Sequence, residues 1–203
     1  MPFTPMLARL VKEPFDRKGW IFEIKWDGFR AIAEVDGVGG VTLYSRRHNT
    51  FNRRFPTITH ELEGLRRSAV LDGEVVALDE EGHPRFEWLV NRGPQRGTLV
   101  YYVFELLALD GKDLRQLPLL ERKAKLKALL NRRQRVVYLD HVEDHGLHCY
   151  AYAVAIDLEG IVAKDRKSPY IPGPLLTHYW LKIKNPDFQR KQPAEFRVPP
   201  SRR

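Results

Sequence analysis

At 203 residues the chain is long enough for one substantial core or for two small domains sharing an interface, and 43% hydrophobic with 30% charged residues describes a soluble globular protein. No apolar run reaches the length of a membrane span, and a single cysteine, Cys149, excludes an intramolecular disulfide framework. The net charge of +8, from 34 Lys+Arg against 26 Asp+Glu, favours a polyanion such as nucleic acid as partner, with a solvated basic surface as the plainer alternative.

The first residues, Met1-Pro2-Phe3-Thr4-Pro5, are not those of a signal peptide, and with one cysteine the expected location is cytoplasmic. Residues 1–19 read as an irregular lead-in punctuated by prolines, with Met6-Leu7-Ala8 as a small apolar anchor. Trp20-Ile21-Phe22-Glu23-Ile24 and Phe29-Arg30-Ala31-Ile32-Ala33 then read as strands, and Asp27-Gly28 between them as a hairpin turn. Lys25 leaves the first strand just before that turn. Apolar neighbours and nearby cations such as Arg30 are expected to desolvate it and weaken its hold on a proton, the route by which a lysine amine becomes a nucleophile. An ordinary hairpin carrying one snorkelling lysine is the alternative.

Asp36-Gly37-Val38-Gly39-Gly40 turns the chain into a further strand, 41–45, and its glycines are too irregular for a dinucleotide fingerprint. Ser45-Arg46-Arg47 ends that strand with two cations suited to a phosphate or ribose. A helix is predicted over 56–65, with Ile58, Leu62 and Leu65 on one face. Residues 69–78 read as a strand in which Asp72-Gly73 is locally a turn signal, and Glu74 is a carboxylate needing a metal, sugar hydroxyl or cation. The run 98–109 predicts a buried strand interrupted by Glu105, with Phe104 as core or as a stacking platform for a base.

A helix over 118–130 turns Leu119, Leu126 and Leu130 inward and presents Arg122, Lys123, Lys125 and Lys127 to solvent. After a strand at 136–139, a helix over 145–156 has Leu147, Tyr150, Ala151 and Val154 as its apolar face. His145, His148 and Cys149 within it lack the spacing and the fourth ligand of a metal site. Residues 158–164 form a strand with Glu159 at its start and Lys164 near its end, and the alternation in Tyr179-Trp180-Leu181-Lys182-Ile183-Lys184 puts Lys182 and Lys184 on one face. The tail beyond about residue 188 is polar and basic, with weak order expected. The whole reads as α+β, mainly antiparallel sheets flanked by helices.

Taken together, Lys25-Trp26-Asp27-Gly28-Phe29-Arg30, Ser45-Arg46, Asp72-Gly73-Glu74, Val103-Phe104-Glu105, Glu159-Gly160-Ile161-Val162-Ala163-Lys164 and Trp180-Leu181-Lys182-Ile183-Lys184 resemble, in order and spacing, the motifs of the covalent nucleotidyltransferases. These include ATP-dependent DNA ligases, RNA ligases and mRNA capping enzymes. Pro5-Met6-Leu7-Ala8, Gly19-Trp20 and Ser168-Pro169-Tyr170 bring the chain nearest to the ligase module of bacterial non-homologous end-joining ligases. The resemblance runs from about Met6 to Lys184 and implies an adenylation domain over 1–188, with 189–203 as a basic tail or the start of an OB-fold domain. Ala194-Glu195-Phe196-Arg197-Val198 resembles that domain's first strand, and a ligase without a DNA-binding domain ahead of the lysine motif is the expectation.

By the same resemblance, Lys25 attacks the α-phosphate of ATP to give a lysyl-AMP phosphoramidate. Glu23 and Ile24 lie beside the adenine, Phe104 stacks on it, and Arg30 and Arg46 contact ribose or phosphate. Lys182 and Lys184 grip the α-phosphate, with Lys164 near the ribose and phosphate. Glu74 binds the ribose or a metal and Glu159 a divalent cation, Mg²⁺ or Mn²⁺. The implied substrate is nicked or broken double-stranded DNA, and a separate OB-fold domain or end-joining proteins are the implied partners; no membrane is involved. Glu105 stands where many relatives have aspartate, and Pro174-Leu175-Leu176 where related ligases often carry basic residues. An RNA ligase, a capping-type guanylyltransferase and a catalytically incomplete nucleic-acid-binding module remain as alternatives.

Overall fold

A computed structural model describes residues 3–90, 96–131, 133–173 and 176–189. In chain order the first half contains β1 (Leu7–Val11), β2 (Trp20–Ile24), β3 (Phe29–Asp36), β4 (Val41–Ser45), α1 (Pro56–Glu63), β5 (Ser68–Leu78), α2 (Phe86–Val90) and β6 (Thr98–Leu109). The second half adds β7 (Lys112–Asp113), α3 (Leu119–Leu129), β8 (Val136–Tyr138), β9 (Val142–Glu143), α4 (Gly146–Ala155), β10 (Gly160–Asp165) and β11 (Leu176–Lys184). Arg132, the Pro174-Leu175 portion of the loop after Gly173 and the OB-like stretch at 194–198 lie outside the described residues.

The strands divide into two sheets. One runs β1-β11-β10-β2-β9, antiparallel except for the parallel β1/β11 pair. The other runs β4-β3-β5-β6-β7, antiparallel throughout, with β8 added parallel to β6. Side-chain alternation gives each sheet one apolar face packed on helices and one face turned toward the other sheet. Ala31, Ala33, Leu71, Val75, Tyr101 and Val103 of the larger sheet pack with Ile58 and Leu62 of α1 and Leu126 of α3. Phe22, Ile161, Ala163 and Ile183 of the smaller one pack with Cys149 and Ala153 of α4. A third cluster, Met6, Ile32, Phe104, Leu107, Leu139, Tyr170 and Trp180, joins residues of both sheets. The α+β, mainly antiparallel architecture is the expected one.

Several local expectations are corrected. Asp27-Gly28 is not a hairpin turn: β2 and β3 belong to different sheets, and the segment crosses between them. Glycine is required there because a Cβ on Gly28 would fall 2.3 Å from the Val75 carbonyl oxygen. Asp72-Gly73 is likewise no turn but lies inside β5 at a register shift against β6, where a Cβ on Gly73 would fall 2.4 Å from the Tyr102 oxygen. In both places the Asp-Gly pair marks close approach of backbones. The lead-in is not wholly irregular, since 7–11 form the edge strand β1. On α4 the buried positions are Gly146, Cys149 and Ala153, while Leu147 and Val154 are 49% and 37% exposed. The small residues face the sheet because they let the helix approach it closely.

On α3 the charged residues divide between solvent and core. Lys125 and Lys127 are exposed as expected, but Arg122 and Lys123 are 0% and 1% exposed. Arg122 forms a two-pronged ion pair with buried Glu105, Nε to Oε2 at 2.8 Å and Nη2 to Oε1 at 2.7 Å, and also donates to the Leu117 and Ser168 carbonyls. Lys123 donates to Glu23 Oε1 at 2.5 Å and to the Leu139 carbonyl at 2.9 Å. Helical periodicity sends charges to solvent by default and carries no information about acids that arrive from other elements. Arg122→Ala leaves Glu105 buried without its counter-charge and should cost about 3–5 kcal/mol in urea unfolding. Replacing both partners, as in Arg122→Met/Glu105→Leu, should cost much less.

Candidate active site

One face of the smaller sheet assembles most of the expected residues in three rows, read directly from strand register. Lys25 and Lys184 flank Gly160, whose carbonyl accepts the Lys25 backbone N–H at 2.9 Å and which pairs with Lys184. In the next row Glu23, Val162 and Lys182 are neighbours, and in the third Ile21, Lys164 and Trp180. Neighbours within a row are about 4.8 Å apart and successive rows roughly 7 Å apart. β9 ends opposite Phe22, so among the described residues the Ile24 N–H and C=O, which alternation turns toward that edge, have no strand partner there.

Against this face stands the larger sheet, where Arg30, Glu74 and Tyr102 share a row. The space between is a cavity of about 380 Å³, a size usual for small-molecule sites. Its walls include Glu23, Ile24, Lys25, Arg30, Arg46, Glu74, Phe104, Lys164 and Lys182, which the sequence nominated. They also include Pro5, Met6, Leu7, Ala8, Trp26, Leu139, Val162 and Trp180, which it did not. Glu159 and Lys184 lie just outside the lining and are joined to it through Lys25. Lys25 Nζ donates to Glu159 Oε2, and Lys184 Nζ lies 3.2 Å from Glu159 Oε1. Lys25 therefore faces a carboxylate, whereas Arg30 is held elsewhere.

The cavity is chemically polarised. At its charged end Lys25, Lys182, Lys184 and exposed Arg46 surround Glu159 and Glu74. Partial burial and the cations Lys25, Lys184 and Arg46 push the Lys182 ammonium down, with Glu159 opposing. Removal from bulk water pushes Glu74 up to about 7, against the pull of Arg30 and Lys25 and helped by Asp72 and Glu159. At the closed end, Phe104, Trp180 and Leu139 enclose the Glu23 carboxylate, itself 2% exposed. Burial alone would raise Glu23, but Lys123 and Lys164 outweigh it and hold the acid below its ordinary value. Lys164 Nζ lies 2.6 Å from Glu23 Oε2 and 4.4 and 4.0 Å from the Phe104 and Trp180 ring centres, so it belongs to the aromatic end.

Arg30 is committed to Asp72, Nε to Oδ1 at 2.5 Å and Nη2 to Oδ2 at 2.6 Å, and its guanidinium lies 4.5 Å from the Phe104 ring centre. Tyr170 completes this unit: its hydroxyl donates to Asp72 at 2.6 Å and accepts the Met6 N–H at 2.8 Å, tying the N-terminal wall to the core. Tyr170, Asp72 and Lys123 are the supporting residues that motif reading passed over. For Tyr170 and Asp72 the signal was present in motifs already noticed; Lys123 had none.

A family model of the ATP dependent DNA ligase domain matches residues 5–184. The chain belongs to the ATP-dependent DNA ligase family. The SPbeta prophage-derived DNA ligase-like protein LigB of Bacillus subtilis is 34% identical over 189 residues, 91% of this chain and 68% of LigB. The multifunctional non-homologous end joining protein LigD of Pseudomonas aeruginosa is 35% identical over 186 residues, 89% of this chain but only 22% of LigD. Among solved structures, a mycobacterial DNA ligase D complexed with ATP and MES matches with a TM-score of 0.81 at 33% identity, over 90% of this chain and 60% of that one. The resemblance to the end-joining ligases drawn from the motifs is the correct one, and the fold is that of the ligase nucleotidyltransferase domain.

The raised pKa of Glu74 has a measurable signature for the ligase domain. Between its ordinary value of 4.5 and about 7 the folded protein holds a proton that the unfolded chain has lost, so stability falls as pH rises through that window and is level above it. Glu74→Gln lacks this dependence. In metal-free buffer, stability relative to that variant should drop by about 2–3 kcal/mol between pH 4.5 and 7, as followed by urea unfolding.

Proposed function

We propose that this chain is the adenylating part of an ATP-dependent DNA ligase and that Lys25 is its nucleophile. Lys25 Nζ, as the neutral amine once its proton has gone to solvent, attacks the α-phosphorus of ATP. A phosphorus–nitrogen bond forms, the bond to the bridging oxygen breaks, and pyrophosphate leaves with the electron pair. Lys182 and Lys184 offset the charge on the α-phosphate oxygens, and the apolar end of the cavity receives the adenine, with Phe104 against it. AMP then passes from Lys25 to the 5′-phosphate of nicked or broken double-stranded DNA, and a 3′-hydroxyl displaces it to join the strand.

The observation that carries this reading is the juxtaposition of Lys25, hydrogen-bonded to Glu159, with Lys182 and Lys184 in adjoining rows beside a cavity whose far end is aromatic. A divalent cation, Mg²⁺ or Mn²⁺, fits the donor set through Glu74, an oxygen ligand that no hydrogen bond from a described residue engages, and when bound it supplies charge neutralisation at phosphate oxygens. Both Glu159 oxygens are engaged by lysines, so Glu74 is the readier ligand. Strand joining in end-joining repair is the setting that the similarity to LigD supports; a cytoplasmic location, and a separate OB-fold domain or end-joining proteins as partners, belong to the same proposal and are carried from the motif resemblance.

Incubation with α-labelled ATP and Mg²⁺ or Mn²⁺, followed by peptide mapping, should place the label on Lys25, with none in Lys25→Ala. Lys182→Ala should slow labelling by about 10²–10³. Label from GTP in place of ATP would select a guanylyltransferase, and sealing of RNA alone an RNA ligase. No label under any condition, even with an added OB-fold domain, together with salt-sensitive DNA binding indifferent to Lys25→Ala, would leave only a binding module.

A further inference from the structure

Lys123 belongs to none of the motifs above, yet it is only 1% exposed, and both of its bonds end at the closed end of the cavity. It donates to Glu23 Oε1 at 2.5 Å and to the carbonyl of Leu139 at 2.9 Å, and its ammonium lies 4.6 Å from the ring centre of Tyr138. The other carboxylate oxygen of Glu23 faces Lys164 at 2.6 Å. Glu23 and Leu139 both line the cavity, Glu23 one row beyond Lys25 along β2. If Lys25 meets the α-phosphate, as proposed above and on which this inference rests, that end receives the base.

We propose that Lys123 is the residue that makes this an adenine site, by occupying Glu23. The two purines differ at the edge that matters. Guanine presents adjacent N1–H and N2–H donors, which a carboxylate accepts with both oxygens at once, whereas adenine presents a single exocyclic donor beside an acceptor nitrogen. A free glutamate at the closed end would therefore form a two-pronged pair with guanine. With one ammonium on each oxygen, Glu23 is neutralised and cannot turn into the plane of a guanine edge. What remains for the base is the unpaired Ile24 peptide edge, carrying one donor and one acceptor, the complement of adenine. Lys123 is thus a positioning residue: it acts through Glu23 and touches neither phosphate nor nucleophile.

The test is the binding of ATP and GTP to the intact chain and its variants by isothermal titration calorimetry, with chemistry blocked by omitting divalent metal and with folding checked by circular dichroism. The unaltered chain should prefer ATP. Lys123→Met should reduce the ATP-to-GTP affinity ratio by about tenfold or more, mainly through tighter GTP binding, whereas a merely structural loss would weaken both nucleotides alike. Lys123→Met/Glu23→Gln, which has no carboxylate to offer guanine, should return to the original ratio, and because it leaves no unpaired acid it also serves if the single variant does not fold. An unchanged ratio in folded Lys123→Met, or a GTP gain in the double variant, would overturn the proposal. If the unaltered chain binds neither nucleotide, the adenylation reading itself fails; if it binds GTP as tightly as ATP, only the role of Lys123 does.

Discussion

The carboxylate of Glu23, gripped from two sides by Lys123 and Lys164, is the interaction on which the geometry of this molecule turns. Each of these charges would cost several kcal/mol to bury alone. They are tolerated because three elements converge: β2 supplies the acid, β10 one ammonium and α3 the other. α3 otherwise packs against β6 of the larger sheet, while β2 and β10 belong to the smaller one. The Glu23–Lys123 bond therefore ties the two sheets together at the floor of the cavity, while the neighbouring Arg122–Glu105 pair fixes α3 to β6 of the larger sheet. Apolar packing holds the layers together, but such buried pairs admit only one alignment of them.

From that floor the cavity grades from enclosed and aromatic to open and cationic within three rows of a single sheet. The gradient comes from strand geometry, since residues two apart share a face. Along β2, Ile21, Glu23 and Lys25 step from a fully buried side chain to the cleft's edge, while along β11 Trp180, Lys182 and Lys184 make the same passage. A nucleotide has the same polarity, apolar base at one end and anionic phosphates at the other. Gly160 sits at the charged end with φ at +135°, and a Cβ there would fall 2.1 Å from the Ile183 oxygen. Its bareness keeps Lys25 and Lys184 close enough to share one carboxylate, Glu159.

Much of this was legible in the residues themselves. The strand assignments for 20–24, 41–45, 98–109 and 179–184 follow from local composition and alternation, and the pocket-lining motif residues come together as their order implied. What could not be read was pairing at a distance. Asp27-Gly28 and Asp72-Gly73 carry the local signature of turns, and only the strands passing over them make them contact points. Arg122 and Lys123 have the helical phase of solvent-facing cations, and their acids lie 17 and 100 residues away. The exposed Leu147 on α4 is the same lesson reversed, an apolar residue whose phase points away from the sheet.

The cleft is walled by residues from Pro5 to Lys182, and the Met6 amide is held by the hydroxyl of Tyr170, 164 positions later. β1, whose ladder partner is β11, has none until residues 176–184 have been made. During synthesis on the ribosome the N-terminal wall must therefore wait through nearly the entire translation of the domain. The cleft therefore gains its N-terminal wall only once β11 has been made, so a contact of high sequence separation closes it late.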